Sequence, residues 1–170
     1  MSSLASKKVD LDKKSDPRPQ NTTISKITIH HMAGNSDPEN AAKYHLNIDK
    51  DVSANYYIGT DGTIVSGVSE NRRSWASSNA GNDNVAITIE VANNSKEPHW
   101  TVSDKAFGSL IDLCVDICKR YKITLNWTGN KNGTLTCHDM FKETECPGPY
   151  LKSKMPEIAE IVNKKIKENN

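Results

Sequence analysis

The sequence predicts a mixed α/β fold in which a central mixed β-sheet is flanked by helices. Three observations support this: a β-branched alternating segment that begins at residue 24, a hairpin signal at Asp61-Gly62, and a long amphipathic stripe after residue 104. Strand and helix signals follow one another along the chain, which favours helices packed against one sheet. A chain of 170 residues is large enough for one such domain.

Residues 1–23 are polar, and we expect them to form an extended N-terminal lead-in, draped loosely over a domain at residues 24–170. The Pro17-Arg18-Pro19 run near its end disfavours helix. The lead-in has no apolar h-region, so neither a secretory signal peptide nor a membrane anchor is expected. The protein is therefore expected to be made in the cytoplasm.

The first strand is expected from Ile24 to His30, where β-branched apolar residues alternate with polar ones. A helix that ends near Leu46 is expected to follow this strand. Its start is marked by Ser36-Asp37-Pro38-Glu39, which combines an N-cap serine, an early proline and a glutamate placed for a capping box.

A hairpin and a covered strand are expected in the middle of the chain. Asn55–Ile58 and Thr63–Val65 flank the Asp61-Gly62 turn, which is a strong hairpin signal. Val85–Ala92 is apolar on both faces, as is typical of a central strand. Glu90 interrupts that strand. Because burial of an unpaired carboxylate is costly, Glu90 either lies at an exposed end or has a function.

The second half of the chain is predicted to be mainly helical. A helix capped by residues 101–104 carries an apolar stripe made of Phe107, Leu110, Ile111, Cys114, Cys118 and Tyr121. A short strand is expected at Thr134–Cys137, and a final helix from about Pro156 to Lys167. The hydrophilic residues 71–84 are predicted to form a surface loop.

Composition and charge exclude several classes of function. The formal net charge is +1 and the lysines near both ends alternate with acidic residues, so no basic surface for nucleic acid is predicted. No segment approaches the roughly 18 consecutive apolar residues of a membrane span. The four cysteines are too few for a disulfide scaffold and are expected to be reduced. We expect a monomer that binds neither nucleic acid nor membrane.

His138 and Cys146, the latter followed by Pro147-Gly148, are residue types that bind a borderline-soft ion such as zinc. The pair His30-His31 at the end of the first strand offers a third ligand. Catalytic zinc has three protein ligands and one open position, whereas structural zinc has four ligands. The sequence also allows a structural zinc site, although with a spacing that fits no finger pattern, at Cys114, Cys118, Cys137 and His138.

Four strings of the sequence resemble the type-2 N-acetylmuramoyl-L-alanine amidases, in particular the clostridial-type catalytic domains of phage and prophage endolysins. The strings are Ile29–Gly34, Ser53–Tyr56, Ala86–Val91 and His138–Gly148, and they occur in the order of the family. The resemblance runs from about Pro17 to the C-terminus. It implies the fold that these amidases share with the peptidoglycan recognition proteins.

The resemblance also implies which residues carry the chemistry. His30, His138 and Cys146 match the ligands of Zn²⁺. Glu90 matches the catalytic carboxylate, and Thr144 takes the place of a lysine or threonine that steadies the developing oxyanion. Many relatives also carry a tyrosine on the second strand near the metal. The corresponding place here, about Ala54, has no hydroxyl.

The implied activity is hydrolysis of the amide bond between N-acetylmuramic acid and the L-alanine of the stem peptide in bacterial peptidoglycan. The enzyme would act on the cell wall after release from the cell that makes it. Two alternatives are a non-catalytic peptidoglycan-binding module, which typically lacks the cysteine ligand, and a cytoplasmic amidase that recycles soluble muropeptides. Trp75 and Trp100 either stack on sugars of the glycan or are simply half-buried.

Other polar and sulfur-bearing residues have simpler explanations. His31 is expected to face away from the metal site, because side chains alternate along a strand. Cys114 and Cys118 lie on the apolar stripe of the long helix, where free cysteine packs as a small hydrophobe. Cys137 is expected to pack, since alternation directs it away from the neighbouring histidine.

Overall fold

The structure is a computed structural model that describes residues 1–169. Its strands are β1 (Lys7–Lys8), β2 (Ser15–Pro17), β3 (Lys26–His31), β4 (Tyr56–Ile58), β5 (Ile64–Ser66), β6 (Arg72–Ser74), β7 (Ala86–Val91) and β8 (Leu135–Cys137). Its helices are α1 (Pro38–Asn47), α2 (Ala80–Asp83), α3 (Asp104–Tyr121) and α4 (Gly148–Glu168). None of the helices in this part of the chain is long and apolar enough to cross a bilayer.

Six strands form one mixed sheet in the order β1-β5-β4-β7-β3-β8, and β2 pairs with β6 in a separate two-stranded sheet. The β4–β5 hairpin is antiparallel, whereas the pairs that involve β3 or β7 are parallel. Helices cover the sheet, as the sequence predicts, so the mixed α/β class is confirmed. The covered position expected for β7 is also confirmed, because every one of its residues is buried.

The two faces of the sheet have different cores. One face packs Ile27 and Ile29 of β3 against apolar residues of α3 and α4. The other face packs Tyr57 of β4 against Ala42 of α1 and Leu11 of the N-terminal segment. Because side chains alternate along β3, His30 lies on the same face as α1. The strand register places Glu90 and Tyr57 on this same face of the sheet, because His30 pairs with Glu90 and Glu90 pairs with Tyr57.

The N-terminal segment differs from the loose lead-in that the sequence predicts. Within it, β1 adds a parallel edge strand to β5, and the side chain of Leu11 is fully buried. Arg18 donates four hydrogen bonds of 2.7–3.0 Å to the backbone carbonyls of Glu70, Asp83, Asn84 and Ala86. These contacts bind residues 1–23 to the body of the fold.

Two further expectations need correction. The predicted surface loop at residues 71–84 contains β6 and the one-turn helix α2, and Asn79 caps α2 by accepting a bond from the Asn82 amide. The last helix begins at Gly148, eight residues before the expected start, and Pro156 lies inside it. Pro156 is on the exposed side of α4, where water can bond the carbonyl that loses its helical donor.

A buried carboxylate, that of Glu70, ties the loop after β5 to α3. Glu70 is 4% exposed and accepts hydrogen bonds of 2.7 and 2.8 Å from the Arg120 guanidinium. The hydroxyls of Tyr56 and Tyr121 also donate to it. Burial alone would raise the pKa of Glu70, but the bonds from Arg120, Tyr121 and Tyr56 together lower it to about 2.

This network predicts a loss of stability in acid. The folded-state pKa of Glu70 lies below its unfolded value, so its contribution is present above the unfolded pKa and is lost as pH falls through the folded one. The difference corresponds to about 3 kcal/mol, lost between about pH 5 and pH 2. We expect Glu70→Gln to lower the free energy of unfolding at neutral pH and to flatten its dependence on pH across that window.

Urea unfolding measured at several pH values tests this expectation, with Glu160→Gln as the control because Glu160 is exposed on α4. The difference between wild type and Glu70→Gln should shrink as the pH falls, whereas Glu160→Gln should follow wild type. A constant difference at every pH would contradict the assignment of this linkage to Glu70.

Candidate metal centre

Three potential metal ligands come together where β3 and β8 end. His30 lies in β3, and His138 directly follows β8, which is the parallel neighbour of β3. Parallel neighbours bring their carboxyl ends to the same edge of a sheet. Cys146 approaches from the chain just before α4, and the ligand atoms of the three residues all lie within 4.8 Å of one another.

Burial controls the protonation of this cluster. It is the main cause that lowers the pKa of His30, which is fully buried, and the pKa of the half-buried His138. Both rings are therefore neutral near pH 7 and offer a lone pair. Burial also raises the pKa of the Cys146 thiol, and the charge of Glu90 raises it further. A positive charge nearby would be needed to stabilise the thiolate.

The donors fit a zinc ion. Among the described residues, His138 Nε2 is buried without a hydrogen-bond partner. His30 Nδ1 lies 3.6 Å from Cys146 Sγ, and the ring centroids of His30 and His138 are 4.8 Å apart. Two imidazole nitrogens and one sulfur suit zinc, and a set of three protein ligands matches the open arrangement of a catalytic site.

Local backbone contacts fix the position of Cys146. Its amide donates to Thr144 Oγ1 at 3.2 Å, and its carbonyl accepts from the Asp139 amide at 3.1 Å. Gly148 has a φ of +81°, and a Cβ there would lie 3.0 Å from Trp100 Cβ and 3.1 Å from His31 Nδ1. Glycine meets both conditions best, which explains why residue 148 is a glycine.

Glu90 lies beside this cluster with little access to water. Its side chain is on the same sheet face as His30, because the two residues are register partners on parallel strands. Burial raises the pKa of Glu90 to about 8. Among residues 1–169, burial is the one cause of this shift, and no hydrogen bond contributes to it. This is the environment of a carboxyl group that can exchange a proton near neutral pH.

Thr144 and Tyr57 supply hydroxyl groups to this region. The Thr144 hydroxyl accepts from the Cys146 amide, so its own proton remains available for donation. Sequence reasoning placed no hydroxyl near Ala54, yet Tyr57 OH accepts a bond of 3.0 Å from the Ala54 amide. Tyr57 OH also lies 2.7 Å from His45 Nδ1. The register of β4 and β7 places Tyr57 opposite Glu90, and this pairing depends on the tertiary fold.

The remaining candidates lie outside the cluster. His31 packs edge-on against Trp100, with 5.3 Å between ring centroids. Cys114 and Cys118 belong to α3 and are buried in the apolar core. Cys137 Sγ lies 2.9 Å from Asp139 Oδ1. The structural zinc site considered from the sequence is not assembled among the described residues, where the one His/Cys/Asp/Glu cluster with metal-binding spacing is that of His30, His138 and Cys146.

The two tryptophans that the sequence left open are both half-buried. Trp75 donates from Nε1 to Asp16 Oδ2 at 2.7 Å, which links it to the N-terminal segment. Trp100 Nε1 is buried and has no protein partner among residues 1–169. Whether either ring also stacks on a sugar stays a prediction.

The parallel strands of the mixed sheet thus bring a His-His-Cys cluster and a buried carboxyl group together, and residues of these types can bind zinc and transfer a proton. The family model described as N-acetylmuramoyl-L-alanine amidase matches residues 20–149. The chain belongs to this family. A comparison with curated protein sequences found no match.

Solved structures show the same fold. The amidase LysC from Clostridium intestinale URNW is 25% identical, with a TM-score of 0.65 over 88% of this chain and 95% of that one. Staphylococcus aureus AmiA, solved in complex with its ligand, is 15% identical, with a TM-score of 0.75 over 94% and 82% of the two chains. The Drosophila peptidoglycan recognition protein PGRP-SA is 23% identical, with a TM-score of 0.60 over 84% and 81%. The expected amidase and recognition-protein fold is therefore confirmed.

Proposed function

We propose that this chain is a zinc-dependent peptidoglycan hydrolase that cleaves the amide bond between N-acetylmuramic acid and the L-alanine of the stem peptide. The observation that carries the proposal is the convergence of His30, His138 and Cys146 beside the buried Glu90. Family membership supports the choice of bond. The resemblance to endolysins supports polymeric cell wall as the substrate, attacked after release from the producing cell.

His30, His138 and Cys146 are the residues that would hold the ion. Zinc in such a site supplies Lewis acidity, which lowers the pKa of water and polarises an amide carbonyl. The two neutral imidazoles contribute no charge and the thiolate contributes one negative charge, so the site keeps net positive charge for this purpose. Positive charge held there would also lower the pKa of Glu90 from the value set by burial.

Glu90 is proposed to move the proton. Its carboxylate would accept a proton from the attacking water and then donate it to the L-alanine nitrogen as the C–N bond breaks. This transfer is required because an amine anion is too poor a leaving group to depart unprotonated. Thr144 is proposed to donate its hydroxyl proton to the developing oxyanion, while its oxygen remains bonded to the Cys146 amide.

Identification of the chemical ends released from purified peptidoglycan tests the proposal. We expect mass spectrometry to find stem peptides with a free L-alanine amino group and glycan strands that keep the lactyl group of N-acetylmuramic acid. New reducing sugar ends, or no new ends, would contradict it. Comparing polymer with soluble anhydromuropeptides separates a wall hydrolase from a recycling amidase. A non-catalytic binding module would bind the cell wall without producing new chemical ends.

Substitution of the two adjacent histidines is expected to separate a metal ligand from a packing residue. We expect His30→Ala to abolish stoichiometric zinc binding, because His30 faces Cys146 across 3.6 Å. His31→Ala should retain zinc but lower the thermal midpoint, since His31 packs against Trp100 and Gly148. Metal content measured after gel filtration gives the answer. The reverse pattern would show that the ligand was assigned to the wrong face of β3.

A further inference from the structure

His30 has two ring nitrogens, and only one of them faces the cluster. Nδ1 lies 3.6 Å from Cys146 Sγ, whereas Nε2 points to the other side and lies 3.3 Å from Ser77 Oγ. A neutral imidazole carries one proton, and the nitrogen that binds a metal must be the one without it. If His30 is a ligand through Nδ1, its proton belongs on Nε2 and needs an acceptor in a fully buried place.

Ser77 can be that acceptor because the Asp83 carboxylate is available to accept the proton of its hydroxyl group. The Asp83 carboxylate is 1% exposed and accepts a 2.9 Å bond from the Ser77 amide. The Ser77 side chain also lies near enough to this carboxylate to lower the pKa of Asp83. A carboxylate accepts and cannot donate, so it directs the Ser77 proton toward itself and leaves a lone pair of Oγ free for His30.

The loop that carries Ser77 and Asp83 is held rigidly against the sheet. Asn82 Nδ2 donates to Thr28 Oγ1 of β3 at 2.9 Å. The carbonyl of Asp83 accepts from the Arg18 guanidinium at 2.8 Å. Asn79 caps the turn by accepting from the Asn82 amide. Ser77 and Asp83 are therefore fixed relative to the strand that bears His30.

We propose that Ser77 and Asp83 are positioning residues that hold His30 as the tautomer with its proton on Nε2, through the relay His30 Nε2–H to Ser77 Oγ and Ser77 Oγ–H to Asp83. The relay keeps Nδ1 bare and aimed at Cys146 and His138. It also fixes the rotation of the imidazole ring about its bond to the strand. The proposal rests on the proposed function, in which His30 is a metal ligand.

The tautomer can be read directly in metal-free protein. In a sample labelled with ¹⁵N-histidine, the nitrogen resonances of His30 distinguish a protonated from a bare ring nitrogen, and His30→Gln identifies them. We expect the proton on Nε2 in wild type. In Ser77→Ala, where Nε2–H loses its acceptor, we expect a shift toward the tautomer protonated on Nδ1. A wild-type His30 protonated on Nδ1 would overturn the proposal.

Zinc affinity, measured by competition with a chelating dye, gives a second readout. Loss of a partner that orients a metal-binding histidine typically costs about 10–100-fold in metal affinity, and we expect that loss in Ser77→Ala. Ser78→Ala is the matched control, since Ser78 is the exposed neighbour in the same loop. Unchanged affinity in Ser77→Ala, or an equal loss in Ser78→Ala, would refute the relay.

A double-mutant cycle tests whether the two residues act in series. Ser77→Ala combined with Asp83→Asn should lose no more zinc affinity than Ser77→Ala alone, because Asp83 acts only through Ser77. Additive losses would contradict the relay. If Asp83→Asn does not fold, the tautomer and affinity of Ser77→Ala decide the question. A wild type that shows the Nε2 proton but binds no zinc would refute the proposed function and leave the hydrogen-bond relay standing.

Discussion

Prolonged treatment with a chelator should abolish hydrolysis of purified cell wall, and added zinc should restore it. The expectation follows from the geometry of His30, His138 and Cys146, whose donor atoms converge within 4.8 Å. Amide hydrolysis needs an activated water or a strong nucleophile. The buried Cys146 thiol has a raised pKa, which makes it a poor nucleophile without a neighbouring positive charge. The loss and recovery of activity are measured by lysis of a cell-wall suspension, together with the metal content of the protein.

A pair of cysteine variants controls this experiment. Cys146→Ser should bind no stoichiometric zinc and should not be rescued by added metal, since a serine hydroxyl is a much weaker zinc ligand than a thiolate. Cys118→Ser changes a cysteine of α3 that is buried in the core, and this variant should keep both zinc and the response to chelation. Full activity in a preparation verified to be free of metal would refute the mechanism.

Glu90→Gln should reduce turnover by about 10²–10⁴-fold, the usual contribution of a general acid–base group. The substitution keeps the size of the side chain and removes its ability to accept and return a proton. Zinc content and thermal stability should change little, because Glu90 is not among the three clustered ligands. The decrease should appear in kcat more than in KM.

Two comparisons make the Glu90 result specific. Thr144→Ala should lose less activity than Glu90→Gln, because one hydroxyl donor is only part of the oxyanion stabilisation. Glu160→Gln, on the exposed side of α4, should turn over normally. Near-normal turnover of a folded, zinc-loaded Glu90→Gln protein would show that another group carries the proton. The buried hydroxyl of Tyr57 would then be the first candidate, since it lies opposite Glu90 in the sheet.

Elements with strong local signals could be predicted from the sequence. The structure has β3, the β4–β5 hairpin and β7 within two residues of the expected bounds, and α3 begins at Asp104, within the predicted cap. Alternation, a tight-turn dipeptide and a helical stripe each act over a few neighbouring residues, so they need no knowledge of the tertiary fold. The N-cap of α1 is Asp37, one residue after the predicted Ser36.

Features that depend on distant contacts could not be predicted in this way. Strand β1 contains only two exposed lysines, and it exists because β5 offers it an edge. The sequence predicts that α4 begins at about Pro156, yet the helix extends back to Gly148 and its first turns bury Leu151 and Met155 in the core. In both cases tertiary contacts, rather than local sequence preferences, determine the secondary structure.

The candidate site shows the same division. The zinc ligands could be proposed because their residue types are distinctive and because a family resemblance supplied their grouping across more than a hundred residues of chain. Ser77, Asp83 and Tyr57 carried no such signal. Serine, aspartate and tyrosine are common residues, and only the register of the strands and the fold of the loop after β6 place them next to His30 and Glu90.

The four hydrogen bonds of Arg18 set a limit on how far the protein can be shortened. The family match begins at residue 20, and a minimal catalytic fragment designed on that match would omit Arg18. Three of the carbonyls that Arg18 bonds belong to Asp83, Asn84 and Ala86, which connect the loop bearing Ser77 to β7. Such a fragment would keep the three proposed zinc ligands, but it would lose the Arg18 hydrogen bonds that hold the Ser77 loop next to His30. A chimeric protein built from this chain should therefore place its junction ahead of β1.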